Sequence, residues 1–559
     1  MVLTISNTYF WYSNWNYKFM IQRLLYILCC FVGLYASAQQ EFHVFPIDHK
    51  STPGTQNGTG HIDNPWDLQT AIQQKTKITS GDTIWLHEGI YNGRFVSTLQ
   101  SLTPKSFITV AAFKDDKVVL NGNVPSSKTS VLEVRGQQIM FKDFEITFLG
   151  NFWRNATVEG FKSVSGISHN SGIDCKFVNL KIHNNPGSGI GSWKRAGGSE
   201  ILDCIIYNNG YITKKGKGGG VGIYVQNASD EMRIIENNII FNNFYKGVQI
   251  WSANKKAKES FVKNVELKNN AIFNNGSPAG TFKDNVIVGS GDRNGVNNPK
   301  HIRIFNNVLY HNTKVSDGQV SGDGASLTLG FHKNAPIEDV IARNNIVIGR
   351  NNALRILHAK SLIFENNMAY CGYLHLESSV LEHIKNWDFK DNTYYTKKQS
   401  SFRVLKDKDY SIERWRSDFG LDQNSTWKQV NTYDFEPVAR LTKYKSRDRT
   451  YKVTALDENG DPVLTKFSGL GLKPGMTYSI YDVENLDTVL KSGTLSDDFV
   501  ITFPMQQKEF IKPLHNTKAR KTLSNFGVFI IEFNTEATTE VPVKKKDNAF
   551  KRFFKWLGF

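Results

Sequence analysis

Tyr224, Arg355, His332 and Lys217 are the side chains of this sequence best suited to moving a proton beside a carboxylate. Arg and Lys neutralise the carboxylate, while His and Tyr take or return the proton, and none of these roles requires a metal. That combination suits β-elimination at a uronic-acid unit: a C5 proton leaves next to the carboxylate, and the departing oxygen is protonated. Trp193, Lys194, Arg195, Gln226, Gln249, Trp251, Arg293 and His375 surround them as candidate binding residues. Trp faces stack on pyranose rings, amides bond hydroxyls, and cations meet acid groups. Hydrolysis would instead need two carboxylates at a fixed separation. The candidates for that are Glu377, at one end of the set, and Asp292 with Asp323 on adjacent loops. No P-loop, CxxC pair, HExxH or GxSxG occurs, and no carboxylate cluster suggests calcium, so neither metal nor cofactor is expected.

These residues come from seven short runs of one pattern: GIGSW (189–193), GIYVQ (222–226), GVQIW (247–251), NVIVG (285–289), SLTLG (326–330), ALRIL (353–357) and YLHLE (373–377). Strand alternation turns Ile190, Ile223, Val225, Val248, Ile250, Val286, Leu327, Leu329, Leu354 and Ile356 inward. One outward row is then Gly191, Tyr224, Gln249, Ile287, Thr328, Arg355 and His375. The other is Trp193, Gln226, Trp251, Gly289, Gly330, Leu357 and Glu377. A register slip of one residue would exchange the faces.

Each run follows another strand that carries an Asn doublet: Asn237-Asn238, Asn269-Asn270, Asn306-Asn307, Asn344-Asn345 and Asn366-Asn367. Degenerate copies are Asp143-Phe144, Asn179-Leu180, Asp203-Cys204 and Asp391-Asn392. A strand-turn unit repeated every 22 to 38 residues marks a solenoid. Repeated strands without helices between them predict a parallel β-helix with two strands per repeat. Asn suits the inside of a bend, where its amide bonds to the next rung, so the doublets are scaffold. Cys204 shares the Leu180 slot and is a core residue. His169, His183 and His311 sit beside repeat turns and are structural. Loop lengths vary most on both sides of the second strands, which places a groove along them.

The chain divides by pattern. Residues 1–38 read as a signal peptide, with Met20 the candidate start, a short apolar run and Ala36-Ser37-Ala38 at the cleavage site. Residues 39–106 form a lead and cap, 107–395 the β-helix, and 396–434 a connecting segment with a short helix. Residues 435–535 alternate as a small β-sandwich, and 536–559 are a linker and basic amphipathic tail. That tail either docks on the protein body or makes weak membrane-surface contact.

The formal net charge of +16 falls to +14 without residues 1–38, which carry Lys18 and Arg23 and no acid. A secreted, basic, monomeric protein points to an acidic polysaccharide partner. Basic runs such as GKGGG lack interleaved aromatics, so nucleic acid is not expected. Three mature cysteines give no disulfide framework.

At GGVGIYVQN (219–227) and IIENNIIFNNFYKGVQIW, and again at NPWDLQTAI and GLKPGMTYSIYDVEN, the chain resembles secreted bacterial right-handed β-helix proteins of the pectate-lyase-like superfamily. The resemblance implies an all-β fold, a right-handed parallel β-helix with a C-terminal β-sandwich. It does not choose among lyases, hydrolases, epimerases and non-catalytic carbohydrate binders.

Overall fold

The computed structural model describes residues 39–314, 320–431, 437–507, 509–516 and 518–534. The leader and the basic tail lie outside the described residues. The chain winds into coils whose strands stack into three sheets of twelve strands each. Sheet 1 runs from Glu41–Val44 to Trp387–Lys390, sheet 2 from Gly89–Asn92 to Thr426–Gln429, and sheet 3 from Phe95–Ser97 to Asp409–Tyr410. Pairing between coils is parallel throughout, and only the last pair of sheet 3, Phe402–Leu405 with Asp409–Tyr410, is antiparallel. Every coil therefore holds three strands where the sequence pattern suggests two. The sheets also begin before residue 107 and continue past 395, because the outermost coils lack the doublet that makes the repeat visible.

The extra strand is the second half of each doublet-bearing run. In one coil Arg233–Glu236 belongs to sheet 1, Asn237-Asn238 turns the chain, and Ile239–Phe241 enters sheet 2. The first doublet residue makes the bend. Asn237, Asn269, Asn306, Asn344 and Asn366 all have φ between 54° and 57°, a left-handed conformation that Asn tolerates better than other side chains. The second residue points inward and bonds to its successor. Asn238 Nδ2 donates to Asn270 Oδ1 (3.0 Å), Asn270 to Asn307 (2.9 Å), Asn307 to Asn345 (3.0 Å), Asn345 to Asn367 (3.0 Å) and Asn367 to Asn392 (3.2 Å). The row ends on the carboxylate of Asp422. A second ladder, absent from the sequence reading, turns the chain from sheet 2 toward sheet 3. It links Asn185, Asn209, Asn243, Asn275 and Asn285 at 2.9 to 3.1 Å.

Ile, Val, Leu and Phe from all three sheets fill the coil interior. Cys175, Cys204 and Cys371 are free and buried, and burial pushes each thiol up to about 12. His169 and His311 are buried and hydrogen-bonded, and desolvation lowers each to about 3, which suits scaffold roles. At the N-terminal end, Trp66 and the four-residue helix Leu68–Ala71, capped by Asp67, close the core. At the other end the helix Ile412–Phe419 does so, with Trp415 stacked on Phe402 at 4.5 Å.

Residues 438–533 form a five-stranded antiparallel sheet facing a two-stranded one around a separate core. This module lies on sheet 2, whose outward residues are apolar for that reason. Tyr207, Phe241 and Phe273 stack at 5.0 and 4.8 Å. Phe526 of the module continues the stack against Tyr310 at 4.1 Å. Lys445 and Ser446 N–H groups both donate to Asp203 across the junction, at 2.8 Å each. With sheet 2 covered, sheet 3 keeps a polar outward face.

Candidate functional site

Sheet 3 pairs residue by residue along its outward face. Gly191, Tyr224, Gln249, Ile287, Thr328, Arg355 and His375 are successive partners. The row continues beyond both expected ends, to Ser168 and Glu133 on one side and Arg403 on the other. The inward set is buried as expected. The second row holds in register between Trp251 and Gly289.

Two stations stand out along this face. The first is a cleft of about 400 Å³ that gathers Trp193, Lys194, Arg195, Tyr224 and Gln226 with Asn170 and Asn254. Trp193, 40 % exposed, leans on Tyr224 with ring centres 5.3 Å apart, and its Nε1 donates to Ser168 Oγ at 3.3 Å. The Trp193 ring lies over Gly191, where a Cβ would rest in ordinary contact at 3.5 Å. Lys194 is paired with Glu259, whereas Arg195 is exposed and its guanidinium makes no hydrogen bond or close ion pair among the described residues, although it adds to the positive field at Glu259. Beneath the floor lies Arg233, inside the coil. Its guanidinium binds the carbonyls of Ser192, Trp193 and Gln226 and has no acidic partner among the described residues. Desolvation lowers it to about 9, still cationic at neutral pH. Burial raises the Tyr224 hydroxyl, so it remains a neutral donor. Gln226 Nε2 donates to Tyr224 Oη (3.3 Å) and Trp251 O (3.1 Å), so its two N–H groups are engaged within the protein.

The second station lies about 24 Å along the same row, five rungs at roughly 4.8 Å each. There His375 sits between Arg355 and Arg403. Burial first, then the two guanidiniums, lowers its imidazole below the ordinary value, so it is neutral at pH 7. His375 Nδ1 is buried without a hydrogen bond, and Nε2 lies 4.0 Å from Glu377 Oε1. The Arg403 guanidinium lies 4.9 Å from the Tyr373 ring centre, and that ring is 6.5 Å from His375. Arg355 is held in place rather than free. Its Nε donates to Thr328 Oγ1 at 3.0 Å, and Nη2 pairs with the buried Asp284. Asp284 also takes Lys246 Nζ at 2.9 Å and the Thr328 hydroxyl at 2.6 Å, which together hold its carboxyl well below the usual range.

The four residues expected to act together do not converge. Tyr224 and Arg355 are four rungs apart, about 19 Å. Lys217 lies on an exposed hairpin tip ahead of the Tyr224 strand, bonded through its backbone to Thr213. His332 follows its strand, in a turn whose Asn334 also reaches Arg293 O at 2.8 Å. The Trp251 ring is packed between Phe331, at 4.5 Å, and Lys246, at 5.6 Å, so it offers no open stacking face. Gln249 is buried beside Tyr224. Asp292 cannot meet Asp323 across a groove. It is fully buried and accepts from the backbone N–H groups of Ala257, Asn294, Val296 and Asn297, which lowers it to about 2. Among the described residues no group of three His, Cys, Asp or Glu could hold a metal ion.

Sequence reasoning missed Glu133, Asp284, Lys246, Arg233, Tyr373 and Arg403. The runs SVLEV (130–134) and FRVL (402–405) carry the same alternation as the recognised seven and would have supplied two of them. Asp284 and Lys246 stand just before their strands, where no periodicity points to them.

Three twelve-stranded parallel sheets coiled around one interior, with an uncovered sheet 3, make this chain a parallel β-helix. No family model matches the chain, and neither does any curated protein. Solved structures do. A pectate lyase is 14 % identical over 71 % of this chain and 84 % of its own, with a TM-score of 0.40. XylC, solved with xylose, is 12 % identical over 87 % and 99 %, with a TM-score of 0.43. A rhamnogalacturonan lyase is 14 % identical over 71 % and 91 %, with a TM-score of 0.42.

Proposed function

We propose that the protein binds an acidic polysaccharide along sheet 3 and cleaves it by β-elimination at His375. The carrying observation is the register Arg355–His375–Arg403, which sets a neutral imidazole between two guanidiniums. The guanidiniums take the C5 carboxylate and stabilise the negative charge that builds on it. His375 removes the C5 proton, the electron pair forms the C4=C5 double bond, and the C4–O bond breaks. The leaving oxygen takes its proton from the Tyr373 hydroxyl. The Trp193–Tyr224 cleft grips a more distant part of the same chain, its Arg195 meeting a second carboxylate over the field of buried Arg233. The leader pattern ending at Ala38 and the basic charge support action outside the cytoplasm.

One observation favours a non-catalytic binder instead: Asp284 already neutralises part of the Arg355 charge. Incubation with polygalacturonate, alginate and hyaluronan decides between them through the ultraviolet absorbance of unsaturated uronate. Elimination produces that absorbance, and His375→Gln lowers its rate roughly a hundredfold or more. Binding without absorbance supports the binder. New reducing ends without absorbance indicate a hydrolase. Full turnover in His375→Gln removes the assignment.

A further inference from the structure

An aromatic-lined pocket lies away from the outward face of sheet 3, at the corner between sheets 2 and 3 in the first coils. It encloses about 550 Å³ behind the segment from Asn151 to Lys162 and is lined by Phe148, Phe152, Trp153 and Phe161. Trp153 is 62 % exposed at its mouth.

Its neighbours hold it there. Arg154 is buried and donates to Leu514 O (2.8 Å), Gly210 O (2.6 Å) and Asn184 Oδ1 (3.0 Å). On the other side, Phe152 meets the His515 ring edge-on at 4.7 Å, and His515 Nε2 bonds to Gly150 O at 2.9 Å. The indole thus stands on a backbone clamped between the β-helix and the C-terminal module. A clamped, exposed ring is a platform built for stacking rather than a loose loop residue.

Charge selects the ligand. No lining residue is acidic. Lys162 is exposed and its ammonium has no partner among the described residues. Arg94 lies at the back, committed to the carbonyls of Gly122, Ser126 and Lys128. Asn151 at the rim adds an exposed amide. Aromatic faces, one free cation and a side-chain amide together recognise a sugar ring bearing a carboxylate.

We infer, resting on the proposed acidic-polysaccharide function, that this pocket is a second, non-catalytic binding site for an acidic sugar unit. From Lys162, three residues ahead of the strand Ser165–Ser171, the His375 station is seven rungs along sheet 3, roughly 34 Å. A polymer held at both places gains effective concentration at the reactive one.

The test is affinity electrophoresis of the intact protein in gels cast with polygalacturonate, alginate or hyaluronan, each compared with a polymer-free gel. The double variant Trp153→Ala/Lys162→Ala is expected to lose at least half of the retardation seen for wild type. Trp193→Ala, in the groove cleft, retains the share due to the pocket. Trp153→Phe keeps an aromatic face and restores retardation, which separates lost stacking from lost folding. Unchanged retardation of the double variant, in a gel that retards wild type, overturns the pocket while leaving the groove reading intact. Retardation of wild type by none of the three polymers overturns both.

Discussion

Asn306 and Asn307 are adjacent and identical in type, yet the structure gives them opposite duties, and that difference is measurable. Asn307 is fully buried. Its Oδ1 accepts from Asn270 N (3.0 Å) and Asn270 Nδ2 (2.9 Å), and its Nδ2 donates to Leu267 O (2.8 Å) and Asn345 Oδ1 (3.0 Å). Asn307→Ala leaves the Asn270 N–H without a partner, which costs about 2 kcal/mol in a dry interior, and deletes two further amide bonds worth about 1 kcal/mol each. The remaining groups keep alternatives: Asn270 Nδ2 still reaches Ile235 O, and Asn345 Oδ1 still takes Asn307 N. The sum is roughly 4 kcal/mol. Asn306 is exposed, with φ of 57°. Asn306→Gly keeps that conformation and loses no ladder bond, so it should stay within about 1 kcal/mol of wild type. Urea unfolding followed by tryptophan fluorescence compares the two, and hydrogen exchange over residues 263–310 locates the loss. In a solenoid the opening should spread to the neighbouring coils first. Equal shifts for the two variants, or a neutral Asn307→Ala, would refute the division of labour.

Three further outcomes follow from particular contacts. Lys452 is buried at the junction of the two modules, and desolvation lowers its amine from 10.5 to about 7. Between those values the unfolded chain binds a proton that the folded one lacks, so stability rises with pH across that window and the full cost is present below pH 7; Lys452→Met should flatten that slope in pH-dependent melting. The imidazole of His375 lies below its ordinary 6.5, so the acid limb of turnover should fall below pH 6.5. Arg403→Gln should move that limb upward, because one of the two depressing cations is gone while Glu377 remains, and a wild-type limb above pH 7 would contradict the base assignment. Gly289→Ala places a Cβ 2.8 Å from the Trp251 ring and 2.9 Å from Phe331 Cβ. It should cost about 1–3 kcal/mol and shift the Trp251 emission, and an unchanged melt would mean that the ring moves freely.

The doublets made the coil legible because their two roles recur at every turn: a bend that Asn tolerates and a buried amide that needs a partner. The same marks appear before sheet 3, as Asn208-Asn209 and Asn242-Asn243, yet the three-residue strand between the bends hid them. Ile239–Phe241 is apolar on both faces, because one meets the core and the other the C-terminal module, so it shows no alternation to count. The outward row of sheet 3 was readable for the opposite reason, since solvent on one face preserves the period of two. The bond from Arg355 to Asp284 was not readable, because it joins a strand residue to a turn residue 71 positions earlier. Glu133 and Arg403 were within reach of the pattern, but Glu133 lies in a coil without a doublet and Arg403 in one whose doublet, Asp391-Asn392, is degenerate.

Both Asn ladders are one-way: every amide-to-amide bond is donated toward the C-terminal end. Aligned N–H dipoles leave their positive end there, and on the first ladder Asp422 meets it. That buried carboxylate takes Asn392, Tyr394, Trp415 and Ser425. The row can be lengthened but not reversed. A coil copied from the middle, with its amide pair intact, accepts one bond and passes one on, so duplication there leaves the chemistry of the row unchanged. A coil added beyond Asp422 finds an acceptor with no proton to offer. The cylinder is thus open to growth in its interior and closed at its end, which makes its length, and with it the reach of any polymer laid along sheet 3, a quantity that evolution or an engineer can adjust one coil at a time.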